Sequence, residues 1–300
     1  MIYLLKVLKF LKRKFLKKIS PGFWSNSKIL INDKTKFIID LSNPKISHFG
    51  DNLFFISAFK DKEISNFKFL VSKKYFFLWE KFGFDNMATK IDEDLEEYIY
   101  VSTLETNFLN KKFSSKFLKK IFFDFTDHKI NSPLFLSISS FFGLKPSKEE
   151  FNFQFNYDSL KVNNLVEKPF YLFNDIIYSR QFLRKSLSMR FIEVFKKVNL
   201  ENTQIFFIGS SDDLKFKNYH DQLVDLRGKI NFDELAYMLL HKNCNGFIGL
   251  DNGLMHLSLL LNKKARILFR GKFSKRQSNH HFKCINISMN EYAKKNIQYI

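Results

Sequence analysis

The sequence predicts an α/β protein built as two successive, mostly parallel sheets with helices between their strands. Three observations carry this expectation. From residue 36 onward, short runs rich in Ile, Val, Phe and Tyr alternate with stretches of helical period, the pattern of βα units. The chain has 300 residues, 45% of them hydrophobic and 26% charged, which is enough for a large core and, on length, for two domains. The stretch from Gly143 to about Lys168 is polar, rich in Asn and flanked by Pro146 and Pro169, so it reads as the crossing between those domains.

Taken in order, residues 1–19 place Leu4, Leu8, Leu11, Phe15 and Ile19 at helical spacing, with Lys6, Lys9, Lys12, Arg13, Lys14, Lys17 and Lys18 between them, until Pro21-Gly22 stops the pattern. A basic amphipathic helix of this kind lies in a headgroup layer, where anionic lipid attracts the cations and the apolar stripe enters the acyl boundary. A helix packed on the body of the protein is the plain alternative, and a nucleic-acid arm a third. The uninterrupted apolar core and small-residue cleavage site of a secretory signal are not visible. In the first half, strands are expected at Phe37–Leu41, Phe67–Ser72, Tyr98–Ser102 and Ile121–Phe125, and helices at Asp51–Lys60, Lys74–Phe82, Phe113–Lys119 and Pro133–Phe142. In the second half, the strands are Phe170–Phe173, Gln204–Gly209, Leu223–Leu226, Gly246–Leu250, Arg266–Phe269 and Cys284–Ile287, with helices at Leu183–Val198, Phe232–His241, Leu254–Leu261 and Glu291–Ile297. The expected division is a basic segment 1–34, a first α/β domain 35–160 and a second 161–300.

Composition excludes several classes of function. The longest apolar stretches are broken by Lys or Asn well short of the roughly 20 residues that cross a bilayer. Two cysteines, Cys244 and Cys284, make neither a disulfide framework nor a four-ligand zinc site, and a reducing, cytoplasmic setting fits them. A balance of 49 basic against 30 acidic residues, net +19, ordinarily points to an anionic partner. Here the excess is mostly Lys, and Phe (39) is as inflated as Gly (10), Pro (5) and Trp (2) are scarce, so the charge tracks a compositional drift. No nucleic-acid recognition motif accompanies it, and the Phe pattern follows the expected strands and helices, so no nucleic-acid partner is expected.

The densest chemical signal runs from Gly246 through Asp251-Asn252-Gly253 to His256: an apolar strand, a tight turn, then a helix. Such a turn aims backbone N–H groups and a helix dipole at one point. Asp251 or Asn252 can cap the helix, Gly253 removes a side chain from the turn, and His256 lies about one turn in. A diphosphate would be stabilised by those donors and the imidazole. A plain N-cap with a satisfied histidine is the competing explanation. After the strand beginning at Gln204, Ser210-Ser211-Asp212-Asp213 enters the same crevice, where Asp212 or Asp213 could accept hydrogen bonds from ribose hydroxyls or simply form a turn. Gly50-Asp51 before Leu53-Phe54-Phe55 is a good cap sequence.

The stretch Asp225-Leu226-Arg227-Gly228-Lys229 leading to Asp233-Glu234-Leu235-Ala236, then Asp251-Asn252-Gly253-Leu254-Met255-His256, then Arg266 to Gly271, resembles the carboxy-terminal domain of the lipopolysaccharide heptosyltransferases, glycosyltransferase family nine, in order and in spacing. Looser matches are His48-Phe49-Gly50-Asp51-Asn52-Leu53-Phe54, similar to the family's amino-terminal motif, and Lys185 to Phe195, similar to the segment that opens its second domain. In this chain Leu187 and Ser188 stand where the family has Trp and Pro, Asn252 replaces a hydroxyl residue, and Ala265 or its neighbour replaces a Pro.

The resemblance implies two Rossmann-like domains facing across a cleft, the GT-B arrangement, with the first on the acceptor side and the second binding the nucleotide sugar. It implies an inverting glycosyltransferase that uses no metal and no cofactor beyond its nucleoside diphosphate sugar. Asp51 would be the general base on the acceptor hydroxyl. The leaving diphosphate would be held by Asp251, Asn252, Gly253, His256 and Lys185, with Arg180 or Arg184 as a second cation, and the donor's ribose or base by Asp212 or Asp213. The sugar, heptose among the candidates, would pass to a lipopolysaccharide or other lipid-linked glycan. That reaction would take place on the cytoplasmic face of the inner membrane, which residues 1–19 would touch. A relative that binds a glycan or nucleotide sugar without turnover is the alternative.

Overall fold

The computed structural model describes residues 23–25, 32, 34–43, 48–59, 64–90, 97–102, 119–123, 138–139, 141–144, 161–176, 184–196, 201–250, 252–261, 263–268 and 297–299. Residues 1–19, the helix expected over Phe113–Lys119 apart from its last residue, and the strand expected at Cys284–Ile287 lie outside the described residues. The chain separates into two compact units, Met1–Ser147 and Lys148–Ile300.

Among the described residues, the first unit holds a six-stranded sheet. Its strands are β1 (Phe23–Ser25), β2 (Lys36–Leu41), β3 (Phe67–Val71), β4 (Met87–Ala88), β5 (Tyr98–Ser102) and β6 (Lys119–Phe123), in the order β1-β6-β5-β2-β3-β4. All neighbours are parallel except β1, which runs antiparallel along β6. Five of the six residues of β2 are buried, the near-continuous run that a parallel strand covered on both faces requires. The polar exception, Asp40, is satisfied locally. Its Oδ1 accepts from Ser42 N–H at 2.9 Å and from Ser42 Oγ at 2.6 Å, and its Oδ2 accepts from the buried Tyr100 hydroxyl.

One face of this sheet is covered by α1 (Phe49–Phe59), which buries Leu53, Phe54, Phe55, Ile56, Ala58 and Phe59. The abundant Phe residues are used here as interlocking rings. Phe59 meets Phe67 and Phe69 edge-on at 4.8 and 5.0 Å, and Trp79 packs 4.6 Å from Phe69 and 4.9 Å from Phe84. Each such pair contributes about 0.5–1.5 kcal/mol beyond its area. Trp79 belongs to α2 (Phe76–Lys81), entered through a 3₁₀ turn, Lys73–Tyr75, whose cap Ser72 accepts Lys74 N–H. The chain runs from β2 out to β3 and β4, then returns to β5 on the other side of β2. The crevice at the carboxyl ends therefore opens between β2 and β5, where the chain enters α1.

The second unit repeats the plan, with every strand among its described residues parallel. It contains β7 (Phe170–Asn174), α3 (Arg184–Lys196), β8 (Gln204–Phe207), β9 (Val224–Asp225), α4 (Phe232–Leu240), β10 (Cys244–Gly249), α5 (Gly253–Leu260), β11 (Ala265–Ile267) and β12 (Ile297–Tyr299), with the sheet ordered β12-β11-β10-β7-β8-β9. Phe173, Phe191, Phe195, Ile205, Phe207, Ile248 and Leu250 form the core between the sheet and α3. His220 is buried edge-on to Phe173 and Phe195, a packing role. The strand reversal falls between β7 and β10.

The expectation of two parallel α/β halves therefore holds, with differences at element ends. Lys119, expected to close a helix, instead opens β6 opposite Ile99, and Ile297, expected to end a helix, begins β12 opposite Ala265. In both places that one residue pairs with a distant segment, a partner a local helical period does not record; the rest of the helix expected over Glu291–Ile297 also lies outside the described residues. No helix among the described residues is long and apolar enough to cross a membrane.

Candidate functional site

The turn after β10 is built around Asn252, the N-cap of α5. Its extended backbone (φ −148°, ψ 178°) lets Oδ1 accept both Leu254 N–H at 3.1 Å and Met255 N–H at 3.2 Å. Its other end is tied to the neighbouring strand: Nδ2 donates to Asn174 Oδ1 at 2.8 Å and to the Ile176 carbonyl at 3.3 Å. An Asn can cap with its oxygen while donating with its amide, and a Ser or Thr hydroxyl has neither the reach nor the second donor. With two first-turn amides occupied by the cap, the Gly253 N–H is the first-turn amide that makes no hydrogen bond among the described residues. The turn thus offers an anion fewer amides than the sequence pattern suggests, together with the dipole of α5. His256 follows Gly253 by three residues, so it shares that helix face, and is 8% exposed. Asp251 lies outside the described residues.

Asn174 is the residue that sequence reasoning missed. It ends β7 at the strand reversal, 2% exposed, and holds four neighbours at once. Its Nδ2 donates to the Ile208 carbonyl at 2.7 Å, its Oδ1 accepts Ile176 N–H at 2.9 Å besides Asn252 Nδ2, and its carbonyl accepts Leu250 N–H at 3.2 Å. Gly249 must be glycine for the same reason, since a Cβ there would sit 2.2 Å from the Asn174 carbonyl oxygen. The only signal in the sequence was a polar residue closing an otherwise apolar run, Phe170-Tyr171-Leu172-Phe173-Asn174.

The second candidate loop is a 3₁₀ turn, Ser211–Lys215, following β8. Asp213 is buried there, and its Oδ2 accepts Ser210 N–H at 2.8 Å, the contact of a helix cap. Asp212 is exposed, so of the two carboxylates it is the one presented to solvent. The Asp225-to-Gly228 segment braces this loop from below. Arg227, 3% exposed and with its guanidinium 4.1 Å from the Phe207 ring centre, donates to the carbonyls of Asp213 and Phe216 at 2.8 and 2.7 Å and forks onto Asp225. Gly228 adopts φ +66°, and a Cβ on it would meet the Ser211 Cα at 2.9 Å. Gly228→Ala is therefore expected to destabilise the protein by about 2 kcal/mol, from left-handed backbone strain plus the clash, measured by urea unfolding. A change under a few tenths of a kcal/mol would refute the brace.

The same fork predicts a pH effect. Hydrogen bonding from Arg227 holds the Asp225 carboxyl below its ordinary 3.8, against an opposing push from partial burial. A depressed carboxylate pKa stabilises the fold above the unfolded value and loses that contribution as pH falls below it. Unfolding free energy should thus decline as pH drops below 3.8, and less steeply in Arg227→Met than in wild type. Equal slopes for the two proteins would mean that the pair contributes nothing. Glu234 completes a capping box on α4, accepting Asn231 N–H at 2.8 Å and also Lys161 N–H at 3.0 Å, which accounts for it structurally.

Of the expected cations, Arg184 and Lys185 stand in the first turn of α3, the next described helix after β7, and Arg180 lies outside the described residues. No acidic residue accompanies them in that turn. Two cations at a helix N-terminus oppose its dipole by roughly 0.3–1 kcal/mol each, a placement that an adjacent anion would reverse.

In the first unit, Asp51 occupies the first turn of α1 at the β2–β5 crevice, half-buried, and its Oδ2 accepts His48 N–H at 2.8 Å. Tyr75 lies beside it: burial, and then the Asp51 charge, push its hydroxyl above the usual 10.0, with Phe49 N–H pulling the other way. Among the described residues no group of three His, Cys, Asp or Glu side chains could hold a metal ion.

The family described as Glycosyltransferase family 9 (heptosyltransferase) matches residues 120–298. Among solved structures, the E. coli ADP-heptose lipopolysaccharide heptosyltransferase II is similar over 89% of this chain and 90% of its own, at 13% identity and a TM-score of 0.54. A family 9 glycosyl transferase from Veillonella parvula matches over 81% and 82%, at 12% identity and a TM-score of 0.54. The E. coli heptosyltransferase WaaC with ADP-2-deoxy-2-fluoro heptose matches over 89% and 93%, at 10% identity and a TM-score of 0.50. At these identities the likeness is one of fold. No curated protein matches by sequence.

Proposed function

The chain belongs to glycosyltransferase family 9, and on that premise we propose that it moves a sugar from a nucleoside diphosphate donor to a lipopolysaccharide or other lipid-linked glycan in one inverting displacement. The observation that carries this reading is the Asn252-Gly253 turn with His256, set at the strand reversal of the second sheet and pinned there by Asn174. In this reading the Gly253 N–H, the dipole of α5, His256, Lys185 and either Arg180 or Arg184 take the charge of the departing diphosphate, and no divalent metal is needed. Asp251 completes the turn, and Asp212 meets the ribose hydroxyls, because Asp213 is occupied as a cap.

In the chemical step, Asp51 accepts the proton of the acceptor hydroxyl as that oxygen bonds to the anomeric carbon, and the bond from that carbon to the diphosphate breaks. ADP-heptose is the first donor to try, since the E. coli protein of similar fold is named for it. Residues 1–19 would rest on an anionic membrane surface, where a lipid-linked acceptor is found.

The test is direct. Purified protein is incubated with lipopolysaccharide acceptor and a panel of nucleoside diphosphate sugars, with and without EDTA, and released nucleoside diphosphate is measured. Release that depends on acceptor and survives EDTA is the expected result. Absence of turnover with every donor, alongside tight binding of one of them, would instead mark a binding protein.

A further inference from the structure

We infer that Trp79 and Asn52 are positioning residues for Asp51, acting through a buried hydrogen-bond relay that sets where the carboxylate points. The inference rests on the proposed role of Asp51 as base and adds what aims it. Trp79 Nε1–H donates to Asn52 Oδ1 at 2.9 Å, Asn52 Nδ2 donates to the His48 carbonyl at 2.9 Å, and His48 N–H donates to Asp51 Oδ2 at 2.8 Å. His48 is thereby gripped on both sides, since its carbonyl also accepts Asn52 N–H at 3.2 Å.

The first two members of the relay are fully enclosed. Asn52 and Trp79 are each 0% exposed, and the indole is wedged between Phe69 and Phe84. A buried amide facing a buried indole is an expensive way to fill space, because each polar group must find its partner, whereas a Leu against a Phe would pack there without that requirement. What the polar pair adds is direction. It ties the first turn of α1 to α2, and it ends on the one carboxylate in that turn. A catalytic carboxylate needs such fixing, since a misplacement of about 1 Å costs on the order of 100-fold in rate.

The decisive variant is the double substitution Asn52→Leu with Trp79→Phe. Removing both polar partners leaves neither unsatisfied, so stability should be close to wild type. The expected result is a kcat lowered about 10- to 100-fold with the KM for the donor within roughly twofold of wild type. Trp79→Phe alone should show the same split between kcat and KM. As a control for lost packing, Phe142→Leu loosens the same aromatic core at Phe59 and Phe67, away from the indole, and should lower Tm while leaving kcat unchanged. A double variant, or a folded Trp79→Phe, with wild-type kcat overturns the inference. Asp51→Asn measured alongside separates the two levels: if it turns over normally, the role of Asp51 itself is wrong, whereas if it is inactive while Trp79→Phe is normal, only the relay is wrong.

Discussion

Asp51→Asn is expected to reduce kcat by about 10²- to 10⁴-fold, the usual worth of a general base, while Tm moves by only a few degrees. The two outcomes separate because the side chain does two jobs with different chemical requirements. As a cap it needs an oxygen that accepts His48 N–H, now at 2.8 Å, and the Asn amide oxygen supplies one. As a base it needs a group that can take a proton, and the amide cannot. Asp51→Ala would lose both functions and cost about 1 kcal/mol of stability as well, so the Asn variant is the cleaner experiment. The measurement is nucleoside diphosphate release at saturating donor and acceptor. Wild-type turnover in this variant would leave Asp51 as a cap and nothing more.

Asn174→Ala is expected to cost about 3 kcal/mol of stability and to weaken nucleoside diphosphate binding about tenfold or more. Three buried groups lose a partner together: the Ile208 carbonyl, Ile176 N–H and Asn252 Nδ2. Each buried polar group left unsatisfied costs about 1–3 kcal/mol, moderated here because Asn252 Nδ2 keeps its 3.3 Å bond to the Ile176 carbonyl. The effect on binding has a separate cause. With Asn252 no longer held to β7, the cap and the Gly253 N–H beside it can rotate away from the place an anion would occupy. Urea unfolding and calorimetric titration with ADP read the two effects independently. Loss of stability with undiminished ADP affinity would mean that Asn174 supports the sheet but not the turn.

The sheet strands were the most legible part of the chain. Lys36–Leu41, Phe67–Val71 and Tyr98–Ser102 are buried runs of Phe, Ile, Val and Tyr bounded by polar residues, and such runs admit few other states. The short edge strands, Phe23–Ser25 and Ile297–Tyr299, were not legible, because three residues carry no periodicity and are strands only by virtue of a neighbour. The cap of α5 was narrowed to Asp251 or Asn252 by their place before Gly253, since capping is a local matter of side-chain length and backbone angle, and the fold makes it Asn252. Asp212 and Asp213 stood as alternatives in the loop after β8, and the burial of Asp213 as a cap beside Ser210 was not foreseen, because that loop is braced by Arg227 and Gly228 arriving from another strand.

Local pattern alone therefore settles the α/β class, the two halves, the family and the identity of the turn that carries Gly253 and His256. These follow from hydrophobic period, capping chemistry and motif spacing, all of which act over a few residues. The contacts that hold those side chains in place came from the fold. Asn174 meets Asn252 across 78 residues because β10 lies beside β7, and Trp79 reaches Asn52 across 27 because α1 and α2 share the aromatic core. Strand order and helix packing are collective properties, minimised over the whole chain at once, so partners this far apart leave no mark in the segments that contain them.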